Sequence, residues 1–159
     1  MILSAVVLAI LAAGRGTAQP EGVLREPPFP LHHPALEEGR AEVLLYVSSS
    51  CPWCARELAS WAGQVDPARH RSPVVVLSPD SKEGLDFVPP ALRSRVVRDS
   101  LGALAQELGV QAVPILALVN EGGTVVLMSA GLSPQGQRDA LLAKLETATS
   151  SSRRTPDDD

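Results

Sequence analysis

Residues 42–61 read EVLLYVSSSCPWCARELASW. Glu42–Ser48 is a continuous apolar run, the pattern of a strand covered on both faces. From Cys51 to about Val65 the period changes: Cys54, Leu58, Trp61 and Val65 fall on one helical stripe. A buried strand thus runs directly into a helix. The chain's two cysteines, Cys51 and Cys54, stand at the junction.

Working outward, the elements alternate. Val74–Leu77 (VVVL) is a second buried strand. Ser81–Val88 reads as a short helix with Ser81 at its N-cap, ended by Pro89 and Pro90. Arg95–Arg98 is a brief extended piece. Asp99 or Ser100 caps the next helix, whose inward stripe is Leu101, Leu104, Ala105 and Leu108. Gly109 supplies its left-handed stop. Pro114–Val119 is a strand, residues 120–123 (NEGG) a turn, and Thr124–Met128 returns antiparallel. Ser133 and Pro134 open a last helix as N-cap and first residue. Leu141, Leu142 and Leu145 face inward from it. The order predicts a three-layer α/β fold whose sheet is mixed by one terminal hairpin.

The ends differ in composition. Residues 2–13 are apolar, too short to span a bilayer comfortably, which takes about 20 residues. They suit the h-region of a signal peptide or a short membrane anchor. Gly16 and Ala18 stand at the −3 and −1 positions of a cleavage before Gln19, although no Lys or Arg precedes the run. Either reading places the domain outside the cytoplasm, periplasmic or otherwise extracytoplasmic, where cysteines can be oxidised. Residues 19–40 carry five prolines and no period, as a linker or an extended lead-in lying on the domain would. The domain proper is expected at 41–148, with a disordered polar tail at 149–159. A formal charge of −4 gives no sign of a nucleic-acid partner.

A cysteine pair at this spacing can hold half a metal site, close a bridge, or exchange electrons. A structural zinc needs four ligands, and there is no third cysteine. His32 and His33 sit together in the lead-in and His70 stands alone in a loop, so neither a metal nor another cofactor is expected. A bridge closing so short a loop adds little constraint. Exchange fits the local physics best. Cys51 at a helix start lies beside free N–H groups and the positive end of the helix dipole, which favour a thiolate, the attacking species. Cys54, one turn in and on the inward stripe, is shielded and placed to resolve a mixed disulfide. A second feature lies about sixty residues on, at Val113–Pro114. A proline is an ordinary strand start. If the bond is cis, the backbone of Val113 can instead turn toward the cysteines and pair with a substrate chain as an added strand.

Over residues 41–148 the chain resembles the thioredoxin superfamily, on the apolar strand, the C-P-W-C sequence, and LAQELGVQAVP followed by a strand and EGGTVV. The resemblance implies the thioredoxin-like fold, Cys51 as nucleophile, Cys54 as resolving thiol, and a cis Pro114. An extra helix and strand at about residues 81–98 is similar to the TlpA-like branch of exported, often membrane-tethered thiol–disulfide oxidoreductases, many of which reduce disulfides during cytochrome c maturation or in other extracytoplasmic proteins. LLYVSSSCPWC with VVLMSAGLSPQGQRDALLAKLE also resembles the thioredoxin-like accessory proteins of methylamine utilisation, thought to help form disulfides in a partner enzyme. The implied partners are proteins bearing thiols or disulfides and a membrane-embedded electron donor, with a tether through residues 2–13.

The chain departs from reducing thioredoxins at two places. Ser50 stands where many have Trp, and Leu45 where they bury an acid that accepts the resolving thiol's proton. Glu57 is expected on the solvated face of the helix. Pro52-Trp53 resembles the Pro-aromatic dipeptides of glutaredoxins and of periplasmic oxidases and isomerases. Trp53 is expected to stand exposed as a platform for partners, and Trp61 to be core. Leu44 replaces the proline of the peroxiredoxin motif, and no histidine follows His70 as copper delivery would want. A non-catalytic interaction module with a vestigial cysteine pair is the alternative that the two departures support.

Overall fold

The computed structural model describes residues 25–66, 72–81 and 85–151, with the side chains of 145–151 left aside. The expected export segment at residues 1–18, His70, the side chain of Leu145 and the last eight residues fall outside this description. No described helix is long and apolar enough to cross a membrane.

Six strands form one mixed sheet: β1 (Phe29–Pro30), β2 (Glu42–Val47), β3 (Val74–Leu77), β4 (Val96–Arg98), β5 (Ile115–Val119) and β6 (Thr124–Ala130), in spatial order β1-β6-β5-β2-β3-β4. β2 is central, parallel to β3 and antiparallel to β5. Every residue of β2 is buried, and the pleat divides them. Val43, Leu45 and Val47 pack with Cys54, Leu58 and Trp61 of α1 (Pro52–Ala62) and with Leu141 and Leu142 of α3 (Gln135–Ser151). Leu44 and Tyr46 point to the other face, against Leu104 and Leu108 of α2 (Ala103–Leu108). Two helices on one face and one on the other give the three layers. Each fully buried large side chain contributes about 1.5–3 kcal/mol of transfer free energy.

The lead-in lies on the domain. β1 pairs antiparallel with β6, and Leu31 N donates to Gly123 O at 2.8 Å. Phe29 and Leu31 are buried on the α2 side of the sheet. Pro30 sits where a missing N–H costs nothing, on an edge strand. At the start of β2, Glu42 is buried and takes a two-pronged ion pair from Arg95. Arg95 also donates to Ala35 O and Ser72 O, so one guanidinium joins four segments.

Three local expectations are corrected. The short helix read over Ser81–Val88 gives way to two 3-10 turns, Leu85–Phe87 and Pro90–Arg95, that lead into β4. Pro89 is extended (φ −54°, ψ 141°), and a following proline disfavours the α region. The next helix begins later than read, because Gly102 adopts φ +70° and forms its N-cap. Leu101 therefore falls before the helix and is 90% exposed, off the inward stripe. Asp99 still serves that start, accepting from Ala105 N at 2.9 Å and from Tyr46 Oη at 3.0 Å. Burial first, then that bond to Asp99, pushes the Tyr46 phenol well above its ordinary value. The cap of α3 falls on Pro134, whose carbonyl accepts from Gln137 N and Arg138 N. The Ser133 hydroxyl is buried without a hydrogen-bond partner among the described residues. Gly109 does take the left-handed stop, at φ +66°.

Candidate active site

The C-terminal end of β2 delivers the cysteine pair. Cys51 N donates to Ser48 O at 3.2 Å, closing a tight turn off the strand. Cys51 is itself the N-cap of α1, with extended backbone (φ −102°, ψ 113°), and Pro52 occupies the first turn, where a missing N–H costs nothing. The Cys51 sulfur accepts from Cys54 N at 3.3 Å. Sulfur thus stands where a serine or aspartate oxygen would cap a helix, at the positive end of the helix dipole.

The two thiols are free and differently placed: Cys51 is partly exposed, Cys54 fully buried. Burial, and next the hydrogen bond with Cys51, push the Cys54 thiol far above its ordinary value. It is therefore a proton-bearing thiol at neutral pH. Across from the pair, the Val113–Pro114 peptide is cis. Val113 O lies 3.5 Å from the Cys51 sulfur, as acceptor of its S–H. Val113 N–H has no hydrogen-bond partner among the described residues. Pro114 O accepts from Gly131 N at 2.9 Å, fixing the loop against the strand that follows. Trp53 is 46% exposed beside Cys51, with the Arg56 guanidinium 5.1 Å from its ring centre. The fold therefore gathers Cys51, Pro52, Trp53, Cys54, Val113 and Pro114 at one end of the sheet.

Glu57 is the main correction within α1. It lies 1% exposed rather than on the solvated face. One carboxylate oxygen accepts from Trp61 Nε1 at 2.8 Å, the other from Ser133 N at 2.9 Å. Its spacing was the available signal: it is three residues after Cys54 and four before Trp61, on the edge of their stripe. Leu45 is fully buried in the apolar layer under α1, so the place of the missing acid is filled by hydrocarbon.

A second carboxylate, Asp80, was not singled out by the sequence. It follows β3 at the same end of the sheet as Cys51. It accepts from Ser48 Oγ at 2.9 Å and Ser50 Oγ at 3.2 Å, and also from Ser78 Oγ. The hydroxyls of Ser78 and Ser48 hold it below its ordinary value, against a small opposing effect of burial, and Ser50 adds to them. His32 and His33 lie elsewhere, on an open cavity of about 710 Å³ between the lead-in and the Asn120–Gly123 turn. None of the cysteine-site residues lines it.

No family model matches the chain, and no curated protein matches it. Solved structures do. A protein designated a candidate thiol:disulfide interchange protein DsbE from Chlorobium tepidum is 23% identical, with TM-score 0.55 over 77% of this chain and 93% of the other. StoA from Bacillus subtilis is 23% identical, with TM-score 0.51 over 71% and 84%. The N-terminal domain of PilB from Neisseria meningitidis, in its reduced form, is 26% identical, with TM-score 0.53 over 69% and 83%. The fold is thioredoxin-like, a mixed sheet between helices with the cysteine pair at the start of α1. Within that fold class, the first of these neighbours is designated a thiol:disulfide interchange protein.

Proposed function

We propose that this protein is an extracytoplasmic thiol–disulfide oxidoreductase acting on cysteine pairs or mixed disulfides of other proteins. The observation that carries the reading is the asymmetry of the pair. Cys51 is reachable and caps a helix, while Cys54 is buried beneath it and retains its proton. In one half-cycle a Cys51 thiolate attacks a substrate disulfide, forming a mixed disulfide and releasing one substrate thiolate. Cys54 loses its proton to solvent and attacks the Cys51 sulfur. The second substrate thiolate leaves, and the protein pair is oxidised by two electrons as the substrate bond is reduced by two. The reverse half-cycle starts with a substrate thiolate on the Cys51–Cys54 bridge. Trp53 offers the substrate an apolar platform, and the Val113 backbone beside the Cys51 sulfur offers a pairing partner.

The apolar segment at residues 2–13 supports export, and a tether through it would keep the protein near a membrane-embedded electron donor. Cytochrome c maturation and disulfide formation in a partner enzyme are the settings in which such an activity is used. The test is covalent trapping on the full chain. Cys54→Ser should accumulate a mixed disulfide with a model protein substrate and Cys51→Ser should not. Equal trapping by both would overturn the roles. No trapping, with no reduction of insulin, would leave an interaction module.

A further inference from the structure

β2 and β3 are parallel neighbours with Val47 opposite Leu77, so residues 48–50 and 78–80 leave the sheet side by side. There Ser48, Ser50 and Ser78 direct their hydroxyls to the Asp80 carboxylate. Ser48 Oγ and Ser50 Oγ lie 2.8 Å apart, and Ser49 N donates to Ser81 Oγ at 3.1 Å. The turn that Asp80 grips is the one that presents the nucleophile: Ser50 immediately precedes Cys51, and Ser48 O accepts from Cys51 N. A negative charge is thereby fixed to the same turn as the redox pair.

We propose that Asp80 is a positioning residue for the redox pair, a caged negative charge that disfavours the Cys51 thiolate of the reduced form and biases Cys51–Cys54 toward giving electrons to a substrate disulfide. The inference rests on the oxidoreductase reading and supplies its direction. The sign follows from the exchange. Reduction of the bridge takes two electrons and yields two thiols, and the accessible one, Cys51, exchanges as its thiolate. Any charge that penalises ionisation makes the reduced pair less stable and a stronger donor. The same charge pushes Cys54 further up, after burial and its bond to Cys51. Glu57 directs its own oxygens to Trp61 and Ser133 instead. Asp80 opposes two features that favour a thiolate, the helix start and the Cys54 N–H on the Cys51 sulfur. Because Asp80 is exposed, water and salt weaken its field, and the effect is modest.

The experiment equilibrates the full chain in dithiothreitol buffers, which carry no charge, and counts thiols. Asp80→Asn keeps the size of the side chain and removes its charge. Its exchange equilibrium should move about threefold toward the dithiol, ~14 mV more positive. Asp80→Glu should restore the wild-type value. The gap between Asp80→Asn and wild type should close as salt is raised, which a purely structural role would not produce. If Asp80→Asn does not fold, the wild-type potential should still rise with salt, and a flat response overturns the inference. A wild-type pair that exchanges normally while Asp80→Asn is unmoved, or moves the other way, overturns the inference alone. A wild-type pair that does not exchange at all overturns the oxidoreductase reading, and this inference with it.

Discussion

Two carboxylates close to the cysteine pair do different work because of where they lie. Glu57 is 1% exposed and takes its bonds from a ring N–H and a backbone N–H, donors that cannot turn away. Asp80 is exposed and takes its bonds from three serine hydroxyls, donors that rotate and compete with water. A buried charge needs fixed partners, since an unpartnered one is costly. Glu57 accordingly joins α1 to the segment before α3. A charge at the surface contributes little to stability, but its field reaches its neighbours. The same group is structural when sealed and electrostatic when open.

Replacing each carboxylate in turn separates the two roles. Glu57→Ala leaves Trp61 Nε1 and Ser133 N without partners and should cost about 3 kcal/mol, from roughly 1–3 kcal/mol per unsatisfied buried donor. Asp80→Asn should stay within about 0.5 kcal/mol, as surface changes do. Urea unfolding of both variants measures the contrast, and equal losses would erase it. Next in size is Trp53→Ala, which should leave stability unchanged. It should raise KM for a protein substrate roughly three- to tenfold, the loss of about 1 kcal/mol of apolar contact. Steady-state insulin reduction reads this directly.

Titration sharpens the contrast from two sides. The folded state holds the Cys54 proton well above the thiol's ordinary 9.0. Its contribution to stability is complete below that value and is lost as the pH rises beyond it. Reduced protein should therefore lose more stability than Cys54→Ser between about pH 9 and pH 10, below the range in which Tyr46 adds its own loss. Urea midpoints across that interval check it. The smallest effect belongs to Asp80. Its folded value lies below its ordinary 3.8, so its contribution is present above 3.8 and fades as the pH falls further. Asp80→Asn should flatten that shallow acid limb in a circular-dichroism titration.

The strand, the cysteine turn and the helix after it were legible because each has its own period and they abut without a gap. Trp61, Leu58 and Cys54 follow from helical spacing alone, and all are fully buried. Glu57 reads as solvated on polarity alone, and only its place on the wheel, at the edge of the Cys54–Trp61 stripe, points inward. Its partner Ser133 lies 76 residues away, and no local pattern reveals that bond. Asp80 carries no local signal for a related reason. Its cage exists only once β2 and β3 are set parallel, which brings residues 30 and 32 apart into contact. Leu101 failed through a single glycine, since Gly102 starts the helix one residue after the leucine that completed the stripe.

The short pairing of Phe29–Pro30 with β6 changes what counts as the smallest workable version of this molecule. A shortened chain begun at Ala41 would look complete by its strand order. It would nonetheless bare the outer backbone of Thr124 and Val125 and the apolar ground that Phe29 and Leu31 cover. Open strand borders of that kind recruit other chains. Such a fragment would be prone to self-association at concentrations where the longer chain stays dispersed, so expression work on this domain should begin ahead of Phe29.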